Sequence, residues 1–139
     1  MRRKLAFILV VAVVIASMFV IGYTPEAQAA KKTEILFGGS LGISGKFAET
    51  GRLIKQGMEL WFEETNAAGG IYVKEYGAKL PVRWILYDDN SDPGTGAKLY
   101  EKLITRDKVD FLTLPYSSGI TFAATTVAEK YQKLGMSIK

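Results

Sequence analysis

The sequence contains no cysteine and no histidine. The first absence removes disulfides, thiol nucleophiles and thiolate ligands. The second removes imidazole bases and, with the first, zinc sites of nitrogen and sulfur. A Ser-His-Asp triad is likewise excluded. Hydrolytic or metal chemistry would have to come from carboxylates alone. A strong charge bias is also missing. The formal charge is +4, but Arg2, Arg3 and Lys4 stand at the extreme N-terminus. Beyond them the chain is near neutral and carries no basic run, so no nucleic-acid partner is expected. A length of 139 residues allows one domain and leaves no room for two full ones.

What is present begins with an export pattern. Arg2-Arg3-Lys4 precedes an uncharged apolar run from Leu5 to Ile21. Thr24 and Pro25 break the run, and Ala27-Gln28-Ala29 offers the small-x-small site of a signal peptidase. Residues 1–29 are therefore expected to be a signal peptide cleaved after Ala29, which places residues 30–139 outside the cytoplasmic membrane, in the periplasm. The alternative is an uncleaved anchor, for which the apolar run is at the short edge of bilayer-spanning length.

The remainder alternates between strand and helix. Glu34 to Phe37 reads as a first strand ending at Gly38-Gly39, followed by a loop from Ser40 to Gly45. The next helix carries an apolar stripe of Leu53, Ile54, Gly57, Met58, Trp61 and Phe62. It stops at Asn66-Ala67-Ala68-Gly69-Gly70. Residues 71–79 form a connection or small hairpin, and Val82 to Tyr87 a second main strand. Asp92 suits the cap of a helix with Pro93 at its first position and Ala97, Tyr100, Leu103 and Ile104 facing inward. Val109 to Leu114 is a third, almost wholly apolar strand, as expected of one covered on both faces. Ile120 to Leu134 is a third helix with Phe122, Ala123, Val127 and Tyr131 on one side, closed by Gly135. Residues 136–139 begin a fourth strand.

This alternation predicts an α/β fold: a doubly wound parallel sheet with right-handed crossovers and main-strand order 2-1-3-4. The first and third strands are then neighbours, and ligands bind at their carboxyl ends. Two loops meet there, 38–51 and 115–119. The glycines from Gly38 to Gly45 do not follow G-x-G-x-x-G, and no Gly-Lys-Ser/Thr is present, so a nucleotide site is not supported. Either the loop approaches a ligand with its backbone N–H groups, or it merely feeds the helix. Tyr116-Ser117-Ser118-Gly119 puts hydroxyls and free N–H groups at a helix start, which suits a carboxylate; a plain capping serine is the simpler alternative. Asp88, Asp89 and Asp92 could suggest acid/base or Mg²⁺ chemistry, but capping and solvation explain them more simply. Trp61, Phe62 and Trp84 read as core. No catalytic constellation emerges, so no enzyme, metal or cofactor is expected.

Taken together, Leu41-Gly42-Ile43-Ser44-Gly45, Gly51, the helix end Asn66 to Ile71, Tyr87-Asp88-Asp89, Asp92-Pro93, Lys102-Leu103-Ile104, Val109 and Tyr116-Ser117-Ser118 stand in an order that resembles the leucine/isoleucine/valine-binding family of type I periplasmic binding proteins. The match runs over most of residues 33–135. The resemblance implies two α/β lobes closing on a small solute, which is delivered to the membrane permease subunits of an ABC importer. The implied solute is a branched-chain amino acid or a related amide or acid. In the family the N-terminal lobe grips the solute's α-carboxylate and α-amino group through the serine-bearing loop and a loop after the fourth main strand, and Ser117 and Ser118, beside Tyr116, match the first of these. Thr50 falls where a ligand-contacting aromatic stands, and Ser44 lies in the same loop. Residues 30–139 then correspond to an incomplete N-terminal lobe, truncated before the second lobe. Such a lobe is expected to be marginally stable and to bind weakly, because each lobe supplies part of the burial. A sensor domain of an extracytoplasmic receptor is the alternative role, since receptor modules share the fold.

Overall fold

Ile35–Leu41 forms β1, the longest strand together with a later partner, in a computed structural model that describes residues 32–137. The export reading of residues 1–29 lies outside the described residues. After β1 come α1 (Ala48–Ala67), a hairpin of β2 (Ile71–Val73) and β3 (Ala78–Leu80), and then β4 (Val82–Asp88). The chain continues through α2 (Pro93–Thr105), β5 (Phe111–Thr113), α3 (Ser118–Lys130) and β6 (Gly135–Met136). The main sheet has the order β4-β1-β5-β6, and all its pairings are parallel. Counting main strands alone, this is the expected 2-1-3-4 order, with the hairpin as a separate two-stranded sheet.

Alternate residues of β1 serve opposite faces. Ile35 and Phe37 join Phe62, Leu80 and Val82 beneath α1. There the Phe62 ring stacks on Trp84, with centroids 5.5 Å apart and planes 14° apart. Leu36 packs on the other face with Tyr100, Leu103, Val109, Leu112, Leu114, Ala124 and Ala128, beneath α2 and α3. The sheet is therefore wound on both faces, as right-handed crossovers require.

Four local expectations are corrected. The first strand does not end at its glycines but runs through them to Leu41. A Cβ on Gly39 would lie 2.1 Å from Thr113 Oγ1, and one on Gly38 would lie 2.7 Å from Val109 Cγ1. The glycines admit close neighbours inside the sheet rather than turning the chain. On α1, Phe62 and Gly51 are buried, whereas Leu53 is 64% exposed. On α3 the inward residues are Ile120, Ala124 and Ala128, and Phe122 is 76% exposed. The α2–α3 contact is too close for large side chains; a Cβ on Gly96 would lie 2.8 Å from Ile120 Cγ2. Small residues four apart made that seam, and a search for bulky ones missed it. The helix also ends at Lys130, and Gly135 opens β6 instead of closing α3.

The end of α1 is tied to the sheet by one side chain. Asn66 Nδ2 donates to Val82 O at 2.8 Å, and Val82 N donates to Asn66 Oδ1 at 2.8 Å. Among the described residues no helix is long and apolar enough to cross a membrane.

Candidate functional site

The carboxyl ends of β1, β4 and β5 carry three polar loops. After β1 the chain makes a tight turn at 42–44 and a single 3-10 turn, Gly45–Phe47, before α1. After β4 it makes the turn 89–92, and Asp92 accepts from Thr95 N at 2.7 Å to cap α2. After β5 it runs through Pro115 and Tyr116 into α3. The first and third loops meet: the Phe47 and Tyr116 rings stand edge to face, centroids 5.4 Å apart at 82°. Below them Tyr100, fully buried, donates its hydroxyl to Thr113 O and accepts from Ser40 N at 3.3 Å. Burial pushes this phenol well above its ordinary range. It joins the tips of β1 and β5 as a neutral bridge.

Ser117 caps α3 with φ 82° and ψ 136°, a region that L-residues other than glycine rarely occupy. Its Oγ accepts from Ile120 N at a long 3.5 Å, and its carbonyl accepts from Thr121 N at 2.9 Å. Thr121 Oγ1 donates back to Pro115 O at 2.8 Å and closes the loop. Ser118 is exposed at the first position of α3. The N–H groups of Ser118 and Gly119 belong to the first turn, where no intrahelical carbonyl can satisfy them. Tyr116 is 44% exposed beside them. The structure thus brings Tyr116, Ser117 and Ser118 together at a helix N-terminus, with Phe47 from the first loop against Tyr116. Thr50 sits in the first turn of α1, partly buried.

Ser44 is held from the other side. Its Oγ donates to Asp88 Oδ2 at 2.6 Å, and its N–H and that of Ile43 donate to Asp88 Oδ1 at 3.2 and 3.1 Å. Asn90 N donates to the same oxygen at 2.9 Å. Desolvation pushes the Asp88 carboxyl up, but these hydrogen bonds outweigh it and hold the group below the usual carboxylate range. Ser91 Oγ donates to Ser44 O at 2.7 Å and accepts from Phe47 N at 3.0 Å. Asp89 is wholly buried, accepting from Ser40 Oγ at 2.7 Å and Ser91 N at 2.9 Å. Burial raises its carboxyl above the ordinary range despite those bonds, with Asp88 and Asp92 adding to the rise.

Capping and solvation therefore account for Asp92 but not for its neighbours. Asp88 and Asp89 brace the first loop. The N–H groups of Ile43, Ser44 and Phe47, in the loop for which a ligand contact was one of two readings, are engaged within the chain. Sequence reasoning missed Asp88, Ser91, Phe47 and Tyr100 as parts of this region. The run Asp88-Asp89-Asn90-Ser91, directly after a strand, carried a signal: such side chains bond backbone N–H groups two residues on. It could not show which distant loop they hold.

The groups gathered here suit recognition. Hydroxyls, helix-start N–H groups and one exposed tyrosine can receive a carboxylate or another small polar group. The acids nearby are committed to backbone and hydroxyl partners. A larger cavity of about 560 Å³ lies away from these loops, under the hairpin, lined among others by Ile35, Phe37, Tyr72, Leu80 and Phe111. Its lining is mostly apolar, with Lys32, Lys74, Glu75 and Asp110 beside the apolar side chains, and it begins at the amino end of β1, away from the serine loop.

A family model described as "Periplasmic binding protein" matches residues 34–137. The Leu/Ile/Val-binding protein homolog 1 of Brucella abortus is 33% identical over 94 residues, 68% of this chain and 24% of that protein. The branched-chain amino acid transporter substrate-binding protein LivJ of Streptococcus pneumoniae, solved with isoleucine, is 31% identical with a TM-score of 0.67. That alignment covers 75% of this chain and 28% of LivJ. A solute-binding protein of an ABC transporter from R. palustris, solved with benzoate, is 27% identical with a TM-score of 0.62, over 75% of this chain and 27% of that one. The chain thus spans about a quarter of the length of the curated relatives it matches. These relatives are binding proteins, not enzymes. With the parallel α/β lobe in the 2-1-3-4 order and the serine loop at its carboxyl edge, the chain belongs to the periplasmic binding protein family, as a member like the leucine/isoleucine/valine-binding proteins.

Proposed function

We propose that this lobe is one wall of an extracytoplasmic solute site, and that the protein serves an ABC importer by handing a small amino-acid-like solute to the permease subunits. The proposed solute is a branched-chain amino acid or a related amide or acid. The observation that carries the reading is Ser117. It holds a rare backbone conformation at the start of α3, which places a hydroxyl and the helix's free N–H groups at the carboxyl edge of β5. Strain of this kind persists where the surroundings enforce it, and it clusters at binding sites. Relatives solved with isoleucine and with benzoate favour a carboxylate-bearing solute.

One wall supplies only part of the burial, so residues 30–139 tested by themselves are expected to bind near 1 mM, about 4 kcal/mol. Amide NMR of the protein titrated with L-isoleucine and with benzoate is the test. Saturable shifts centred on Ser117, Ser118 and Gly119 are expected. Shifts centred elsewhere, or none that saturate, would overturn the reading. Residues 1–29 are proposed as the export signal. N-terminal sequencing of the exported protein should begin at Ala30, whereas an intact Met1 would favour a tethered sensor.

A further inference from the structure

We infer that Asp88 is a positioning residue of the solute site: a built-in anion that takes the N–H groups of Ile43 and Ser44 and the Ser44 hydroxyl, keeps the solute's carboxylate from them and fixes the first loop against the serine loop. The inference rests on the proposed solute-binding reading and adds a division of labour to it. Asp88 ends β4, on the far side of β1 from the serine loop, so it is not itself a cleft residue. Yet both its oxygens are turned onto the β1 loop, taking the N–H groups of Ile43 and Ser44 and the Ser44 hydroxyl. A carboxylate accepting several backbone N–H groups is how proteins bind a free anion. Here the anion is part of the chain.

The geometry has two consequences. The N–H groups of Ile43 and Ser44 and the Ser44 hydroxyl are taken, and a second negative charge placed against them would meet Asp88. A carboxylate is thereby disfavoured at Ile43 and Ser44 and directed toward Ser117 and Ser118. The loop is also fixed in shape. Ser91, three residues after Asp88, donates to Ser44 O and accepts from Phe47 N, and Phe47 rests against Tyr116. The turn after β4 therefore reaches the serine loop through one hydrogen-bonded loop and one aromatic contact, without touching solute.

The test uses the full chain and amide NMR, first without solute. In the unsubstituted protein the Ile43 and Ser44 amide protons should shift together with one acid midpoint, lying below that of ordinary aspartates. Asp88→Asn should abolish this titration, and Asp88→Ala should speed exchange of both amides about tenfold while core amides hold. Absence of a shared titration in the unsubstituted protein overturns the inference, and that measurement needs no variant to fold. Acetate is then added as a bare carboxylate. It should leave Ile43 and Ser44 unmoved in the unsubstituted protein and shift them in Asp88→Ala; equal responses overturn the exclusion. L-Isoleucine is added last. Its effect at Ser117 and Ser118 should weaken several-fold in Asp88→Ala and recover partly in Asp88→Asn; unchanged affinity overturns the positioning role. Should isoleucine and benzoate leave Ser117 and Ser118 unmoved in every protein, the solute reading fails and takes the positioning role with it. The titration and acetate results still decide whether Asp88 fills the loop.

Discussion

Gly51 in α1 faces the carbonyl of Gly42 so closely that a Cβ at position 51 would lie 2.2 Å from that oxygen. The helix that follows the first loop is thus pressed against the loop's own backbone. Alanine in place of an exposed helical glycine normally stabilises, by about 0.5–1 kcal/mol. At Gly51 the sign should reverse, because the oxygen belongs to backbone that Asp88 and Ser91 hold in place. Gly51→Ala is expected to lose about 2 kcal/mol through overpacking. Gly57, with nothing within 4 Å of its missing Cβ, is the control, and Gly57→Ala should gain. Urea midpoints decide it: two changes of the same sign would contradict the contact.

The α2–α3 seam gives a second pair of opposite expectations. Phe122→Ser removes a large apolar side chain that is 76% exposed, and stability should move by no more than about 0.5 kcal/mol. Ala124→Leu adds three carbons at a site with no exposure and should cost about 1–3 kcal/mol. Thermal melts of the two variants check the ranking. A larger loss at Phe122 would mean that the helix is rotated toward the face first read from the sequence.

Tyr100 joins the tips of β1 and β5 through its hydroxyl alone. Tyr100→Phe keeps the ring's packing but leaves the buried Ser40 N–H and Thr113 carbonyl without this partner. The expected loss is about 1–3 kcal/mol, and denaturant unfolding measures it. Faster exchange at the Ser40 amide should accompany the loss. A variant as stable as the parent would show that the bridge contributes only packing.

Acid titration should separate the two adjacent aspartates. Asp89 has its folded carboxyl raised by burial, so its contribution favours the fold below the unfolded value of about 3.9 and is lost as pH rises through the folded value. Asp88 is depressed, so its contribution is present above about 3.9 and is lost as pH falls through its folded value. Relative to the parent, Asp89→Asn should therefore gain stability as pH rises from acid toward neutral, and Asp88→Asn should lose it over the acid part of that range. Unfolding curves collected across that range check both slopes. Parallel curves for the two variants would refute the assignment of opposite environments.

Much of the fold was legible before any coordinates. The strand–helix alternation, the Pro93 start of α2 and the glycines after α1 are local signals, and each produced an element where expected. The parallel pairing followed from the crossover helices, and 2-1-3-4 is the common order for such a chain. The serine loop was legible from connectivity: an apolar strand expected to end at Leu114, and ending at Thr113, is followed by Pro115 and a helix that opens at Ser118.

The errors share one cause. Gly38 and Gly39 punctuate a sequence, but here they let Val109 and Thr113 approach within a strand, and that depends on the neighbours. Leu53 and Phe122 looked like core because they are large. Which helix face turns inward was decided by what the opposing surface could accept, and between α2 and α3 it accepted alanine. Asp88 and Asp89 looked like solvated acids because a helix began nearby.

The sequence by itself determined the class of fold, the order of its elements and the polar loop at the start of α3, because periodicity, capping and handedness act over a few residues at a time. Only the tertiary structure decided that Asp88 takes the N–H group of Ser44, 44 residues away, that Ser117 is held with a positive φ, and that Phe47 meets Tyr116. Those relations depend on the register of β1 between β4 and β5. Register is a property of the assembled sheet, set when both faces are buried at once.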